Sequence, residues 1–217
     1  KNALTGAMYE TITAEMTKAN ADPSIGAILI LGQPGIFTSG NDIKDFVAAG
    51  GSVILTSRAD YDEKGLTDPT AHSAYQGNVV LEALDSNLRL NDDEVIDDTS
   101  NGGQNYRLYF DQYTGSKYHL TDGIPAGQLY SFYSGCSVIL RGGGDDTGVD
   151  WLVKGHATTA SFDSDVAHDA TPVAMGNVYG LAAEVLPGGS KLVVAGTAFF
   201  SDFETASADN AYSNLQL

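Results

Sequence analysis

Closely spaced acidic residues are the first candidates for chemistry in this sequence. Asp92, Asp93 and Glu94 are adjacent, and Asp97 and Asp98 follow them closely. Carboxylate oxygens are the hard ligands that Ca²⁺ prefers, so one interpretation is a Ca²⁺ site at Asp92, Asp93 and Glu94. The segment lacks the alternating spacing and the glycine of an EF-hand loop. A solvated acidic loop without a bound ion is therefore the alternative interpretation.

A second candidate site follows a short apolar run. Arg58, Asp60 and Tyr61 come directly after residues 52–56, which read as a strand. In open α/β sheets ligands bind outside the carboxyl ends of the strands. We therefore predict a ligand-binding crevice at these three residues, with Asp202 as a further contributor. The alternative is an ion pair between Arg58 and Asp60 that only fixes the loop.

Nucleophilic catalysis has few candidates. Cys136 is the one cysteine of the chain, and it leads into an apolar run, which predicts a buried structural thiol because a reactive thiol needs basic neighbours. The alternative interpretation is that Cys136 is a catalytic nucleophile that works with His119 or His156. Ser39 stands at a turn before a helix, but the glycine that precedes a nucleophile elbow by two residues is missing, and a helix N-cap or a loop serine is favoured. The sequence predicts no catalytic residue and leans against an enzyme.

The charge balance excludes some partners. The chain has 28 acidic and 11 basic residues, a net charge of −17 at pH 7. Such a surface repels phosphate backbones and anionic lipids, so we expect no nucleic-acid partner. The longest apolar run, residues 25–31, is too short to cross a bilayer, so we expect no membrane insertion. The start at Lys1 falls in mid-pattern, which predicts that the natural N-terminus lies upstream.

The elements that would position these residues follow from the apolar patterns. We predict helices at residues 5–20, 41–49 and from Asp68-Pro69 to Leu84, and strands at 25–31 and 52–56. Short strands are predicted at residues 88–90, 106–110, 128–133 and 137–140, and a strand pair at 178–185 and 191–195. Continuously apolar strands are typical of parallel sheets buried on both faces. The sequence therefore predicts a single α/β domain over residues 1–217, with three layers, a mainly parallel central sheet and a β-rich second half.

Residues 1–46 resemble the start of the crotonase family, the enoyl-CoA hydratases and isomerases. The resemblance rests on Asn2-Ala3-Leu4, on Asp22-Pro23-Ser24 and above all on the segment FTSGNDIK at residues 37–44. It implies a crotonase-like first β-α segment at residues 1–42, in which a backbone N–H near Ser39 or Gly40 stabilises an acyl-CoA oxyanion. The second oxyanion donor and the acidic residues of that family are absent. The resemblance thus implies, as the alternative function, an inactive acyl-CoA-binding fragment.

Residues 43–217 resemble class I glutamine-amidotransferase-like domains of bacterial extracellular proteins. The matching segments lie at residues 43–56, 57–61, 91–94, 130–136 and 194–203. The resemblance implies a flavodoxin-like fold and a non-catalytic accessory or ligand-binding module of a larger secreted or surface protein, with another domain or a glycan as its partner. The two resemblances overlap at residues 43–46. Either the chain is a chimera, the interpretation that we favour, or one resemblance is fortuitous.

Overall fold

The computed structural model describes residues 41–115 and 117–200, together with Thr11, Ile12, Ala14 and Lys18, which are helical. Of the helix predicted at residues 5–20, only these four positions are described. The strand predicted at residues 25–31 lies outside the described residues. So do the crotonase-like turn at Ser39 and Gly40 and the predicted ligand-binding residue Asp202.

Two helices and two single 3₁₀ turns lie in the first half of the described chain. Helix α1 spans Asn41–Ala48 and helix α2 spans Ser73–Ala83, and the 3₁₀ turns are Asp60–Glu63 and Pro69–Ala71. Helix α1 ends where the sequence predicts, because Gly50 adopts a φ of +94°, a left-handed conformation that only glycine takes without strain. Pro69 opens the turn that leads into α2, as its preference for a first helical position predicts.

Eleven short strands make up the rest of the described architecture. They are β1 Val53–Thr56, β2 Leu88–Leu90, β3 Glu94–Ile96, β4 Arg107–Phe110, β5 Gln112–Tyr113, β6 Tyr130–Tyr133, β7 Val138–Leu140, β8 Val149–Lys154, β9 Ala160–Phe162, β10 Tyr179–Val185 and β11 Lys191–Ala195. The seven strands predicted within the described chain are confirmed with shifts of one or two residues at their ends. Strands β3, β5, β8 and β9 were not predicted.

The predicted three-layer fold with a mainly parallel sheet is wrong. The largest sheet has the order β1-β11-β10-β8-β5. Only β1 and β11 pair in parallel, whereas every other neighbouring pair in this sheet is antiparallel. Three separate two-stranded ribbons, β2-β7, β3-β9 and β4-β6, are antiparallel as well. The described chain is therefore a β-rich mixed structure and not a flavodoxin-like or glutamine-amidotransferase-like sheet.

The error has a physical cause, which is the burial of the sheet on both faces. On one face a cluster that includes Leu81 of α2 and Leu88 of β2 packs against Leu192 and Val194 of β11; we call it the helix-side cluster. On the other face Phe110, Phe132 and other side chains of the ribbons pack against Leu181 and Ala183 of β10; we call it the ribbon-side cluster. Ribbons thus cover the face that helices would cover in a parallel α/β fold. A strand that is buried on both faces is continuously apolar whether helices or ribbons cover it, so the apolar pattern does not distinguish the two folds.

A close backbone crossing joins the sheet to the β2-β7 ribbon. The amide of Cys136, just before β7, donates to the carbonyl of Gly196, just after β11, at 2.9 Å. A Cβ atom at Gly196 would lie 1.7 Å from the carbonyl oxygen of Cys136, so only glycine fits. This crossing brings the loops that follow β2 close to the end of β11. In the described part of the chain no helix is both long enough and apolar enough to span a membrane.

Candidate functional site

A cavity of about 280 Å³ opens between helix α2 and the β2-β7 ribbon. Tyr75 and Asn78 of α2 form one wall, and Arg89 and Arg141 lie on the ribbon side. Asp92 and Asp169 complete the lining with carboxylates. The cavity thus holds two cationic and two anionic side chains at one place on a strongly acidic chain.

His72 is positioned at the beginning of α2 by a carboxylate from another element. It is the N-cap residue of α2, but its side chain makes no capping hydrogen bond. Glu63 caps the helix instead of His72, because both carboxylate oxygens of Glu63 accept from the amide of Ser73, at 3.0 and 3.1 Å. A negative charge at this end of the helix also interacts favourably with the helix dipole. The imidazole of His72 is therefore free to turn inward, where it is fully buried.

The loop after β9 carries two further acidic residues to the same place. The carboxylate of Asp60 accepts from the amide and hydroxyl of Ser164 and from the amide of Asp165. The side-chain amide of Asn91 exchanges two hydrogen bonds with the backbone of Thr171, at 2.8 and 2.9 Å. These two anchors fix the start and the end of the segment that holds Asp165 and Asp169.

One ligand atom from each of His72, Asp92, Asp165 and Asp169 lies within 4.8 Å of the others, and we call these four residues the His72 cluster. Nδ1 of His72 lies 2.5 Å from Oδ2 of Asp92 and 3.0 Å from Oδ2 of Asp165. Nε2 of His72 lies 3.2 Å from the carbonyl oxygen of Leu66. Since a carbonyl only accepts, Nε2 carries a hydrogen and Nδ1 is the atom that faces the carboxylates.

Burial and mutual contacts within the cluster shift the pKa values of His72 and Asp92. Burial favours the neutral form of His72, but the hydrogen bonds to Asp92 and Leu66 and the charges of Asp92 and Asp165 outweigh it and raise the pKa of His72 to about 9. Burial raises the pKa of Asp92 to about 7; His72 opposes this shift and Asp169 adds to it. Strongly perturbed acidic and basic groups beside a cavity are a common property of functional sites.

The residues that the sequence predicts as a ligand-binding crevice are separated in the structure. Arg58 does not pair with Asp60, because its guanidinium binds Glu63 at 2.9 Å. Tyr61 is half exposed and lies under the ammonium group of Lys64. Asp60 is buried against the Ser164–Asp165 backbone, and this burial raises the pKa of its carboxyl group against the effect of the hydrogen bonds. Asp60 therefore does not line a crevice and instead holds the backbone of the cluster residue Asp165 in place.

The predicted Ca²⁺ ligands also diverge. Asp92 belongs to the His72 cluster, whereas Asp93 points the other way and is fully buried. The carboxylate of Asp93 accepts from the amide and hydroxyl of Ser137 and from the hydroxyl of Ser161. Burial raises the pKa of Asp93 although these hydrogen bonds act in the opposite direction. Glu94 is buried at the start of β3, and within the described residues neither it nor Asp93 joins a group of metal-ligand atoms.

Cys136 is buried, as the sequence predicts. Its exposed fraction is 0%, and burial raises the pKa of its thiol well above the ordinary value. The histidines considered as its partners are engaged elsewhere, since His119 binds Asp122 and His156 lies 2.8 Å from the carbonyl of Tyr109. The thiol is therefore not set up as a nucleophile.

Sequence reasoning selects Asp92 as a predicted ion ligand and indicates Asp163 and Asp165 as a similar acidic pair, so it reaches two residues of the His72 cluster without connecting them. His72 stands alone among small and polar residues, and nothing in its surroundings marks it as functional. The segment DSDVAHD at residues 163–169 was the available signal, because it places three aspartates and a histidine within seven positions. Its link to Asp92 depends on a long-range contact that no local pattern encodes.

The comparisons with known proteins bear on the fold alone. No family model matches the chain, and no curated protein matches it. One solved structure with a similar fold is the mmIFT52 N-terminal domain, with 12% sequence identity and a TM-score of 0.55, over 82% of this chain and 70% of that one. This likeness and the β-rich architecture contradict the glutamine-amidotransferase-like and flavodoxin-like fold assignments made from the sequence, and they give no support to the crotonase-like assignment.

Proposed function

We propose that this chain is a non-catalytic ligand-binding module that holds an acidic sugar, or the acidic terminal residue of a glycan, in the cavity between α2, β2 and β7. The observation that carries the proposal is the pair Arg89 and Arg141 lining one cavity on a chain with a net charge of −17. Arginine makes two parallel hydrogen bonds to a carboxylate, so an arginine pair selects an anionic group.

The fixed position of Arg89 supports this interpretation. Its Nη1 donates to the carbonyl oxygens of Ser86 and Leu88, at 2.8 and 2.7 Å. Burial lowers the pKa of Arg89 and the charge of Arg141 acts in the same direction, whereas the charges of Glu82, Glu184 and Asp85 act against this shift. A bound anion would add to the partial compensation that these carboxylates give the two arginines. A guanidinium has five N–H donors, so donors remain for a ligand.

The size and the remaining lining of the cavity suit a sugar. A volume of about 280 Å³ lies at the small end of ligand pockets, which are about 300–1,000 Å³, and this matches one ring better than an extended cofactor. Asp92 and Asp169 offer acceptors for hydroxyl groups. Tyr75, which is 46% exposed at the cavity wall, offers a ring face for stacking.

The burial of Cys136 supports the non-catalytic part of the proposal. The one cysteine is buried with a raised thiol pKa. The placement of the chain in a larger secreted or surface protein stays a prediction from the sequence resemblance.

The test is calorimetric titration of the full chain with glucuronate, galacturonate and N-acetylneuraminate, with glucose and galactose as neutral controls and crotonyl-CoA as an unrelated anion. We expect binding of at least one sugar acid and none of the neutral sugars. Arg141→Gln removes a charge-assisted hydrogen bond worth about 1.5–3 kcal/mol, so it weakens binding by about tenfold or more.

Arg58→Gln is the matched control, because Arg58 lies on the other loop that the sequence predicts as a binding crevice. It should leave the affinity for the sugar acid unchanged. Loss of binding in Arg58→Gln but not in Arg141→Gln would move the site to that loop. Equal binding of glucose and glucuronate, or release of a hydrolysed product from a glycan, would overturn the proposal.

A further inference from the structure

We propose that the His72 cluster is a binding site for a divalent transition-metal ion, with Zn²⁺ as the best fit, held by Nδ1 of His72 and by carboxylate oxygens of Asp92, Asp165 and Asp169. The site is independent of the proposed sugar ligand, because it is defined by protein atoms alone. It lies at the acidic end of the same cavity, which Asp92 and Asp169 also line.

The orientation of His72 suits a metal ligand. Nε2 must carry its hydrogen, because it faces the carbonyl oxygen of Leu66 at 3.2 Å. A histidine that ligates a metal through one nitrogen commonly donates its other N–H to a backbone carbonyl, which fixes the ring and the tautomer. Nδ1 then faces Oδ2 of Asp92 and Oδ2 of Asp165. These three atoms can each supply an electron pair to one point, so either a proton on Nδ1 or a metal ion must lie between them.

The buried carboxylate of Asp165 favours a metal ion over a proton at the centre of the cluster. A proton on Nδ1 satisfies only one of the two carboxylates, because Nδ1 carries a single hydrogen and this hydrogen bonds to Asp92. Oδ2 of Asp165 has no hydrogen-bond donor in the described chain, although its side chain is 0% exposed and lies 3.0 Å from Nδ1. A buried acceptor without a donor costs about 1–3 kcal/mol, more when it is charged. A metal ion would satisfy both oxygens and Nδ1 together.

The rest of Asp165 is built as a support. Its Oδ1 accepts from the amides of Ala167 and His168, at 2.8 and 3.0 Å. The amide of Asp165 donates to the buried carboxylate of Asp60. One oxygen is thus used to hold the loop, and the other is left for the centre of the cluster.

The ligand set decides the class of metal. Zn²⁺ binds imidazole nitrogen and carboxylate oxygen at about 2.0–2.2 Å, usually with four ligands. Tetrahedral ligands at that distance lie about 3.4 Å apart, and the four atoms here already lie within 4.8 Å of one another. Ca²⁺ takes six to eight oxygen ligands and does not select imidazole, so the presence of His72 argues against it.

The experiment is a Co²⁺ titration of the tag-free full chain after treatment with EDTA, with visible d–d absorption as the readout. We expect absorption bands of Co²⁺ bound to nitrogen and oxygen, bleaching of these bands on addition of Zn²⁺, and an increase in melting temperature with Zn²⁺. Ca²⁺ at the same concentration should produce no comparable increase.

Asp165→Asn is the decisive variant. An asparagine keeps the Oδ1 acceptor for Ala167 and His168 but removes the negative oxygen, so the loop should fold. We expect metal affinity to fall by at least about tenfold. Asp146→Asn removes the same charge from an exposed carboxylate outside the cluster, and its affinity should equal that of the unmodified chain.

Three results would overturn the proposal. They are the absence of d–d bands and of a Zn²⁺ stabilisation in the unmodified chain, equal metal affinity in a folded Asp165→Asn variant, and stabilisation by Ca²⁺ alone. In the first two cases the cluster binds no metal ion, and His72 interacts with the carboxylates of Asp92 and Asp165 only through its own proton. Sugar titrations are performed with EDTA present, so a failure of metal binding and a failure of sugar binding are recorded separately.

Discussion

At the scale of single residues, buried carboxylates are held mainly by hydrogen-bond donors and not by cations. Eight aspartates and glutamates of the described chain are buried, although the whole sequence has only 11 lysines and arginines. Glu184, for example, accepts from the hydroxyl of Ser86 and from the backbone and side-chain nitrogens of Asn87. A carboxylate with two or three donors is stable inside a protein without a partner charge. Much of the acidity of this chain therefore has a structural role.

Asp97 gives a test of this role. Burial acts to raise the pKa of Asp97, but bonds from the amides of Ser100 and Thr99 and from the hydroxyls of Thr158 and Thr159 prevail and lower it. Asp97→Asn should reduce the free energy of unfolding at pH 7 by about 1–3 kcal/mol, because an amide nitrogen replaces one acceptor. Urea denaturation measures the loss.

The pH dependence of that loss follows from the lowered pKa of Asp97. A lowered folded-state pKa stabilises the protein above the ordinary value of 3.8 and ceases to do so as the pH falls through the folded-state value. The difference between Asp97→Asn and the unmodified chain should therefore shrink as the pH falls below 3.8. A difference that is equal at pH 7 and pH 3 would show that the charge of Asp97 contributes nothing.

At the scale of elements, the end of α2 is set by hydrogen bonds and not by residue type. The amide of Ser86 donates to the carbonyl of Leu81 and the amide of Asp85 donates to that of Glu82, which is the pattern of a Schellman motif. Asp85 occupies the left-handed position with a φ of +53°, where glycine is preferred. Asp85 also binds the cavity residue Arg141 at 2.7 Å, in an exposed ion pair.

Asp85→Gly should stabilise the protein. It removes the steric cost of a side chain in the left-handed region, which is about 1–2 kcal/mol, and loses only an exposed ion pair of small value. We expect an increase of about 0.5–1 kcal/mol in the free energy of unfolding. Asp85→Ala is the comparison, because it loses the same ion pair and keeps a Cβ atom. Equal stabilities of the two variants would show that the conformation of residue 85 costs nothing.

Local patterns predicted single elements well and their assembly poorly. The helices α1 and α2 follow from apolar spacing, from the stop signal at Gly50 and from the start signal at Pro69. Strand β8 escaped detection because Asp150 breaks its apolar run; this aspartate is buried and accepts from the amide of Tyr118. The partners of each strand, and hence the mainly antiparallel pairing of the mixed sheet, depend on contacts distant in sequence.

The candidate site was harder to predict than the single helices and strands. Its residues come from the start of α2, from the segment after β2 and from the loop after β9. Asp92 was recognised because it stands among acidic neighbours. His72 and Asp165 acquire their chemistry only when Glu63 and Asp60 hold their segments in place, and the contact between Asp60 and Asp165 joins residues that are 105 positions apart.

At the scale of the whole molecule, one sheet separates two apolar clusters. The helix-side cluster contains Leu192 and contacts Trp151, and the ribbon-side cluster contains Leu181. The strands of the sheet contribute side chains to both clusters. Loss of packing on one face should therefore weaken the other, since the same backbone hydrogen bonds support both.

Leu181→Ala tests this coupling. It removes a buried side chain from the ribbon-side cluster and should cost about 2–5 kcal/mol. Trp151 is the single tryptophan and packs on the helix side, so its fluorescence reports the opposite face. We expect fluorescence and far-ultraviolet circular dichroism to show the same shift in the denaturation midpoint. Val79→Ala, at a half-exposed position on α2, should leave the midpoint nearly unchanged. Separate transitions for the two signals would contradict the coupling.

The burial of Cys136 gives the protein an internal reporter of its own opening. Because the chain has a single cysteine and its side chain is 0% exposed, a thiol reagent can modify only molecules in which the start of β7 has separated from the end of β11. At saturating reagent the labelling rate equals the opening rate, and at low reagent it reports the equilibrium population of open molecules. Mass spectrometry of a single alkylation event would thus follow the dynamics of the native protein without denaturant.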